Sequence, residues 1–273
     1  MSETPTASVH TNSVMMNPLI RKLSRIEELA DHSATYGGIA VKTTIFMLAA
    51  AAGAALYFLL HSRLAGSGTI EVSGYTFYQT EALICLAALL LSVLAPLIAF
   101  AIRPLIPVFG ILYCASVGFG ITMLAAVMGA EYTLMIYFAL ALTLLLVAVM
   151  AFLYAARIIK VGKHFRAVVL TLFLTSVFSG VIFFLLGLIP GVKPVLSFLQ
   201  ESPAFSIGLG VVYIIIACAF LLVDFDTIER CVEQRLPKKY EWTAAFGLAY
   251  TIIYLFLKIF SLICKLTQKN NSK

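Results

Sequence analysis

The sequence predicts an all-α membrane protein, a bundle of seven transmembrane helices. Seven apolar stretches fill most of the chain between Ala40 and Cys264. The hydrocarbon core of a bilayer is roughly 30 Å thick, so about 20 apolar residues, rising 1.5 Å each, cross it as a helix. Hydrophobic residues make up 62% of the chain and charged residues only 12%, about half the charged share of soluble domains. The mean hydropathy of +1.01 is spread along the whole chain and does not come from a single anchor.

Residues 1–39 are a polar, mixed tail, without the basic start, apolar core and small-residue cleavage site of a signal peptide. Within it, Asn17-Pro18 can open a helix that continues through Leu19, Leu23, Ile26 and Leu29. These apolar positions recur every three or four residues opposite Arg21, Lys22 and Arg25. The segment therefore reads either as an amphipathic helix on the membrane surface or as a solvated one. The transmembrane domain, 40–265, divides into spans at roughly 40–61, 82–101, 106–128, 132–154, 166–189, 206–225 and 243–264, with a basic tail at 266–273. Pro104 and Pro107 separate the second and third spans, Glu131 the third and fourth, and Pro190-Gly191 closes the fifth. Pro96 lies inside the second span, where neighbouring helices re-satisfy the backbone carbonyl it frees. Small residues such as Gly110, Gly118, Gly120, Gly208 and Gly210 read as points of close helix approach.

Lys and Arg alternate in density from loop to loop. Thirteen fall in the N-terminal segment and in the loops after the second, fourth and sixth spans, whereas the intervening loops hold only Arg63 and Lys193. The positive-inside rule then makes the N-terminus cytoplasmic. Lys265, Lys269 and Lys273 follow the last span, so either the early charges dominate or the last segment is re-entrant. Lys258, an ammonium inside that span, must snorkel, pair or face water.

The net charge of +6 belongs to these loops and tails, where it meets anionic lipid. No basic helix or aromatic-basic module points to nucleic acid. Cys85, Cys114, Cys218 and Cys264 in spans and Cys231 in a loop read as small buried hydrophobes. His10, His32, His61 and His164 lie outside the spans or at an edge, and no nucleophile-base or metal constellation is visible at depth. The chain is expected not to be an enzyme and to carry no cofactor.

Every carboxylate except Asp224 and Asp226 sits in a tail, a loop or a span edge. Residues two apart on a helix point about 200° apart, so only one of this pair faces a common interior. Asp226, Glu229 and Glu233 share a face, and Arg230 stands four residues after Asp226, able to pair with it. The pair reads either as a solvated acidic helix end or as an ion- or proton-responsive latch at the mouth of the bundle.

The following segment is more specific. Phe225-Asp226-Thr227, then Leu236-Pro237-Lys238-Lys239-Tyr240-Glu241-Trp242 before the final apolar helix, resembles the C-terminal signature of the transmembrane Bax inhibitor motif family. Residues Tyr137 to Thr143 resemble that family's fourth span, and Arg157 to Arg166 the following loop in a bacterial branch. The resemblance runs from about Ala40 to Leu266. It implies six helices around a central C-terminal helix. It also implies a passive calcium leak controlled by a protonatable pair of aspartates on the sixth and seventh helices. Asp226 matches the first aspartate. The second falls on Tyr250 or Thr251, with no Asp or Glu after Glu241, and the third-span Glu of many bacterial members falls on Val117.

Two close carboxylates share a proton, whereas one Asp beside a hydroxyl has no like charge to compete with. A hydrogen bond from Thr251 or Tyr250 would give a less pH-sensitive latch. Calcium usually takes six to eight oxygens, so Asp226 offers it only a weak site. The expectation is a cation leak, candidate ions calcium or protons, gated near Asp226 with Asp224, Thr251, Tyr250 and Arg230 as partners. The alternative is a non-transporting regulator of another membrane protein such as a protease, acting through the polar tail. The bacterial resemblance favours an inner membrane.

Overall fold

A computed structural model describes residues 33–64, 69–72, 75–187 and 203–271. The surface helix expected near Asn17 to Leu29 lies outside the described residues, as does Pro190-Gly191. The described residues form seven α-helices: α1 (Tyr36–Leu64), α2 (Gln79–Ala101), α3 (Ile106–Met128), α4 (Ala130–Ala155), α5 (Lys163–Gly187), α6 (Pro203–Glu233) and α7 (Lys239–Asn271). Six are long and apolar enough to cross a membrane, making this a multi-pass membrane protein. α5, the fifth expected span, opens on Lys163, His164 and Arg166 and runs to the edge of the described residues.

The helix ends explain where expectation and structure differ. An antiparallel hairpin, β1 (Thr69–Val72) and β2 (Tyr75–Tyr78), precedes α2 with Val72 opposite Tyr75. The strands TIEV and YTFY, rich in β-branched and aromatic residues around Ser73-Gly74, carry that signal. Pro104 stands in a 3₁₀ turn (Arg103–Leu105) between α2 and α3, and Pro107 in the first turn of α3, where its missing N–H costs no hydrogen bond. α3 and α4 part at Gly129, not at Glu131. Gly129 has φ 109°, a conformation other residues avoid, and Glu131 is already helical.

The sixth span does not end at residue 225. α6 continues for two more turns to Glu233, so Cys231 is a helical, not a loop, residue. It stops in a Schellman turn: Arg235 takes φ 50°, its N–H donates to Val232 O (3.0 Å), and the Leu236 N–H donates to Cys231 O (3.0 Å). α7 then starts at Lys239 and runs unbroken for 33 residues, about 50 Å. Its backbone has no break of the kind that would turn a re-entrant segment back.

α7 packs against α1, α4, α6 and α3, and its aromatic rings also reach α2 and α5 through Phe100 and Phe173. One cluster joins Phe46, Ile106, Tyr113 and Phe246, and another joins Ala139, Phe173, Ala217 and Leu255. α1 and α3 cross most closely where Gly53 faces Ala115 and Gly118 faces Ala50. A Cβ on either glycine would strike backbone of the opposite helix. Gly110 likewise admits the rings of Phe46 and Phe246 and Gly210 meets Leu262, whereas Gly120 and Gly208 face open space.

Gly118→Val is expected to cost about 1–3 kcal/mol through overpacking, whereas Gly120→Ala should be neutral or stabilising by up to about 1 kcal/mol. Thermal unfolding of both variants in one detergent measures this. Equal losses would contradict the α1–α3 crossing.

Candidate functional site: buried carboxylates between the last two helices

Asp224 and Asp226, both 8% exposed, leave α6 on different sides, as their two-residue spacing requires. Asp226 meets cations. Its Oδ2 accepts from Arg230 Nε at 2.8 Å and lies 3.5 Å from Arg166 Nη1. Arg166, from the first turn of α5, also donates through Nη2 to Thr227 Oγ1 (2.6 Å), which donates to Val223 O (2.7 Å). One turn on, the Tyr154 hydroxyl of α4 donates to Glu229. These contacts bind the ends of α4, α5 and α6 into one polar cluster. The expected Asp226–Arg230 pair is present, and Arg166 is a partner the sequence reading did not name.

Asp224 faces α7. The Thr251 hydroxyl lies beside its carboxyl while donating to Gly247 O at 3.1 Å. Its Oδ2 is buried with no hydrogen-bond partner among the described residues. The carboxyl lines a cavity of about 640 Å³ whose walls come from α2, α3, α5, α6 and α7. Tyr250, beside Thr251, lines the same space. Of the expected partners, Thr251 and Tyr250 thus gather around Asp224, and Arg230 around Asp226. Val117 also lines the cavity, and Asp224 is the one charged wall residue among the described residues.

Lys258 pairs with neither aspartate. Its ammonium lies 4.4 Å from the centroid of Tyr213 and 5.0 Å from that of Tyr254, a cation–π setting for a charge inside a helix. Tyr254 in turn shares a hydrogen bond of 2.9 Å with Ser176 of α5. No group of three or more His, Cys, Asp or Glu able to hold a metal occurs among the described residues. At Asp226, the two guanidiniums occupy the side from which a calcium ion would need its oxygens.

Glu241, expected at a span edge, is instead 2% exposed and forms a third carboxylate centre. It accepts from Lys42 Nζ of α1, from Thr35 N–H (2.9 Å) and from Thr35 Oγ1 (3.3 Å). Lys42 also lies 5.3 Å from the Trp242 ring centroid. The entering chain is stapled to the same place: Ala34 N–H donates to Leu236 O at 2.7 Å, and Ser33 bridges Pro237. The signal was a lone Lys six residues into the first helix and a lone Glu two residues into the last. Two opposite charges at similar depth in neighbouring helices stabilise each other.

This is a multi-pass helical membrane protein with a carboxylate-bearing cavity between its last two helices. The chain belongs to the Bax inhibitor 1 like family, whose profile matches residues 11–268. No curated protein and no solved structure matches it.

Removing one partner of the buried ion pair, in Lys42→Met or Glu241→Gln, is expected to destabilise by on the order of 3 kcal/mol. The double variant should recover part of this loss, because neither charge is then left alone. Denaturation of the three variants gives the coupling directly. Additive losses would contradict the clamp.

Proposed function

We propose that this chain is a passive cation leak, with calcium the favoured ion, in which Asp224 is the point of cation contact and the Arg166–Asp226–Arg230 cluster is the latch. The carrying observation is Asp224 itself, a buried carboxylate on the wall of a cavity of about 640 Å³, one of whose oxygens has no hydrogen-bond partner among the described residues. A buried carboxylate oxygen without a partner favours whatever cation reaches it. Asp226, held by two guanidiniums, suits a mechanical role: it ties α6 to α5, and its release frees the helices that flank the cavity. In this reading α7 is the central helix of seven crossings, the N-terminus is cytoplasmic and the membrane is a bacterial inner membrane. The chain carries no catalytic group and no cofactor.

A second reading, a regulator of another membrane protein, draws on Ser33, Ala34 and Thr35. Their contacts to Leu236, Pro237 and Glu241 fix the exit of the N-terminal tail at the α6–α7 turn. A partner bound to that tail would pull on the segment between the two helices.

Calcium entry into liposomes separates the readings. Asp224→Asn should lower flux about tenfold, the effect of losing ~1.4 kcal/mol of cation binding. Asp226→Asn should raise it by unlatching α5 from α6. Over about pH 6 to 8, any pH dependence should follow one apparent titration and vanish in Asp224→Asn, since no second carboxylate competes. Wild-type protein with no flux above empty liposomes would leave the regulatory reading, in which removal of the tail abolishes partner capture.

A further inference from the structure

We propose that the Asp224 cavity is a binding site for a membrane-soluble ammonium amphiphile, an apolar chain with a single amine head, which enters sideways from the bilayer between α2 and α5. The site shares Asp224 with the proposed leak but does not rest on it, because binding requires no ion flow.

The way in follows from packing. α2 and α5 both line the cavity, yet they are not among the helix pairs that pack along their lengths. Their cavity-lining side chains also reach the outer surface: Leu97 and Phe100 of α2 and Leu174 and Phe178 of α5 are each about half exposed. On a multi-pass membrane protein these apolar flanks face lipid. A chain in the hydrocarbon layer therefore reaches the cavity without crossing water.

The head group follows from the walls. Around Asp224, the aromatic side chains of Tyr113, Phe173, Phe220, Tyr250 and Tyr254 turn toward one space. Aromatic faces and one carboxylate together favour an ammonium group. Among the described residues no Lys, Arg or His lines the cavity, so the phosphate of a phospholipid head would find no countercharge from them. A neutral sterol or alcohol would leave the carboxylate without a cation. The volume suits a single-chain molecule, within the roughly 300–1,000 Å³ of ordinary small-molecule sites.

The test uses the full-length protein in phosphatidylcholine nanodiscs and a long-chain amine carrying a photoactivatable diazirine, with crosslinked peptides read by mass spectrometry. Labelling is expected on the α2, α5 and α7 segments that line the cavity. Dodecylamine should suppress it about tenfold more effectively than dodecanol, the ratio one charge-assisted contact supplies. In Asp224→Asn that preference should disappear. In Leu97→Trp, which narrows the portal and leaves Asp224 in place, labelling should fall while thermal unfolding stays as in wild type. Equal competition by amine and alcohol in the wild type overturns the proposal, as does labelling away from the cavity or undiminished labelling in Leu97→Trp. If Asp224→Asn does not fold, the wild-type ratio and Leu97→Trp decide the outcome; if it folds, a retained amine preference also overturns the proposal. No gradient enters the assay, so a protein that leaks but ignores amines overturns this inference alone, and one that binds amines but never leaks overturns only the leak.

Discussion

A charge withdrawn from water must find a partner or a special use, and three carboxylates at one end of this bundle meet that demand differently. Glu241 meets it with Lys42 and Thr35, and Asp226 with Arg166 and Arg230. Asp224 has the neighbouring Thr251 hydroxyl and feels the Arg166 charge without an ion-pair contact to it, and one of its oxygens has no hydrogen-bond partner among the described residues. Breaking a buried ion pair leaves a charge uncompensated, so the Glu241 centre resists change, while Asp226 is held by two partly exposed guanidiniums. The third does not hold helices together by its own pairing. It is free to answer to whatever enters the cavity.

The two satisfied centres also position the unsatisfied one. Glu241 sits in the first turn of α7 and draws α1 and the entering chain onto that helix. Asp226 draws α5 onto α6. Between them, the short turn closed by Arg235 sets α6 against α7, so that the Asp224 carboxyl comes into ordinary contact range of Gly247. The cavity is the space that remains when the ends of these helices are held and their middles carry aromatic rings. α2 and α5, which both line it, are not among the helix pairs that pack along their lengths.

Much of the fold was legible because the bilayer writes it in a coarse alphabet. Runs of about 20 apolar residues mark the crossings, and Pro104, Pro107 and the Leu236-Pro237 turn mark their ends. The boundaries that were missed share a cause: polar residues continue a helix after its apolar run ends, so the sixth span reads as closing at 225, with Cys231 in a loop, and the seventh as opening at 243, although α6 runs to Glu233 and α7 starts at Lys239. At the site, the spacing of Asp226 and Arg230 disclosed their pair, but not that Arg166, sixty positions earlier in sequence, would complete it. Sequence context ranked Asp226 above Asp224. Only the packing of α6 on α7 brings Thr251 and Tyr250 to Asp224 instead, because which face of a helix meets its neighbour depends on both helices. The Glu241–Lys42 pair was hidden for a similar reason, as each residue alone looks like a charge at a membrane edge.

If Asp224 is the working carboxylate, reached through the cavity it lines, and Asp226 and Glu241 are held in ion pairs, the three should differ sharply toward a reagent that arrives from the lipid. Dicyclohexylcarbodiimide partitions into the bilayer and modifies carboxyl groups it reaches there, and mass spectrometry of the treated protein locates the adduct. The adduct is expected on Asp224, with Asp226 and Glu241 spared. An adduct on Asp226 or Glu241 with Asp224 untouched would contradict this division of roles.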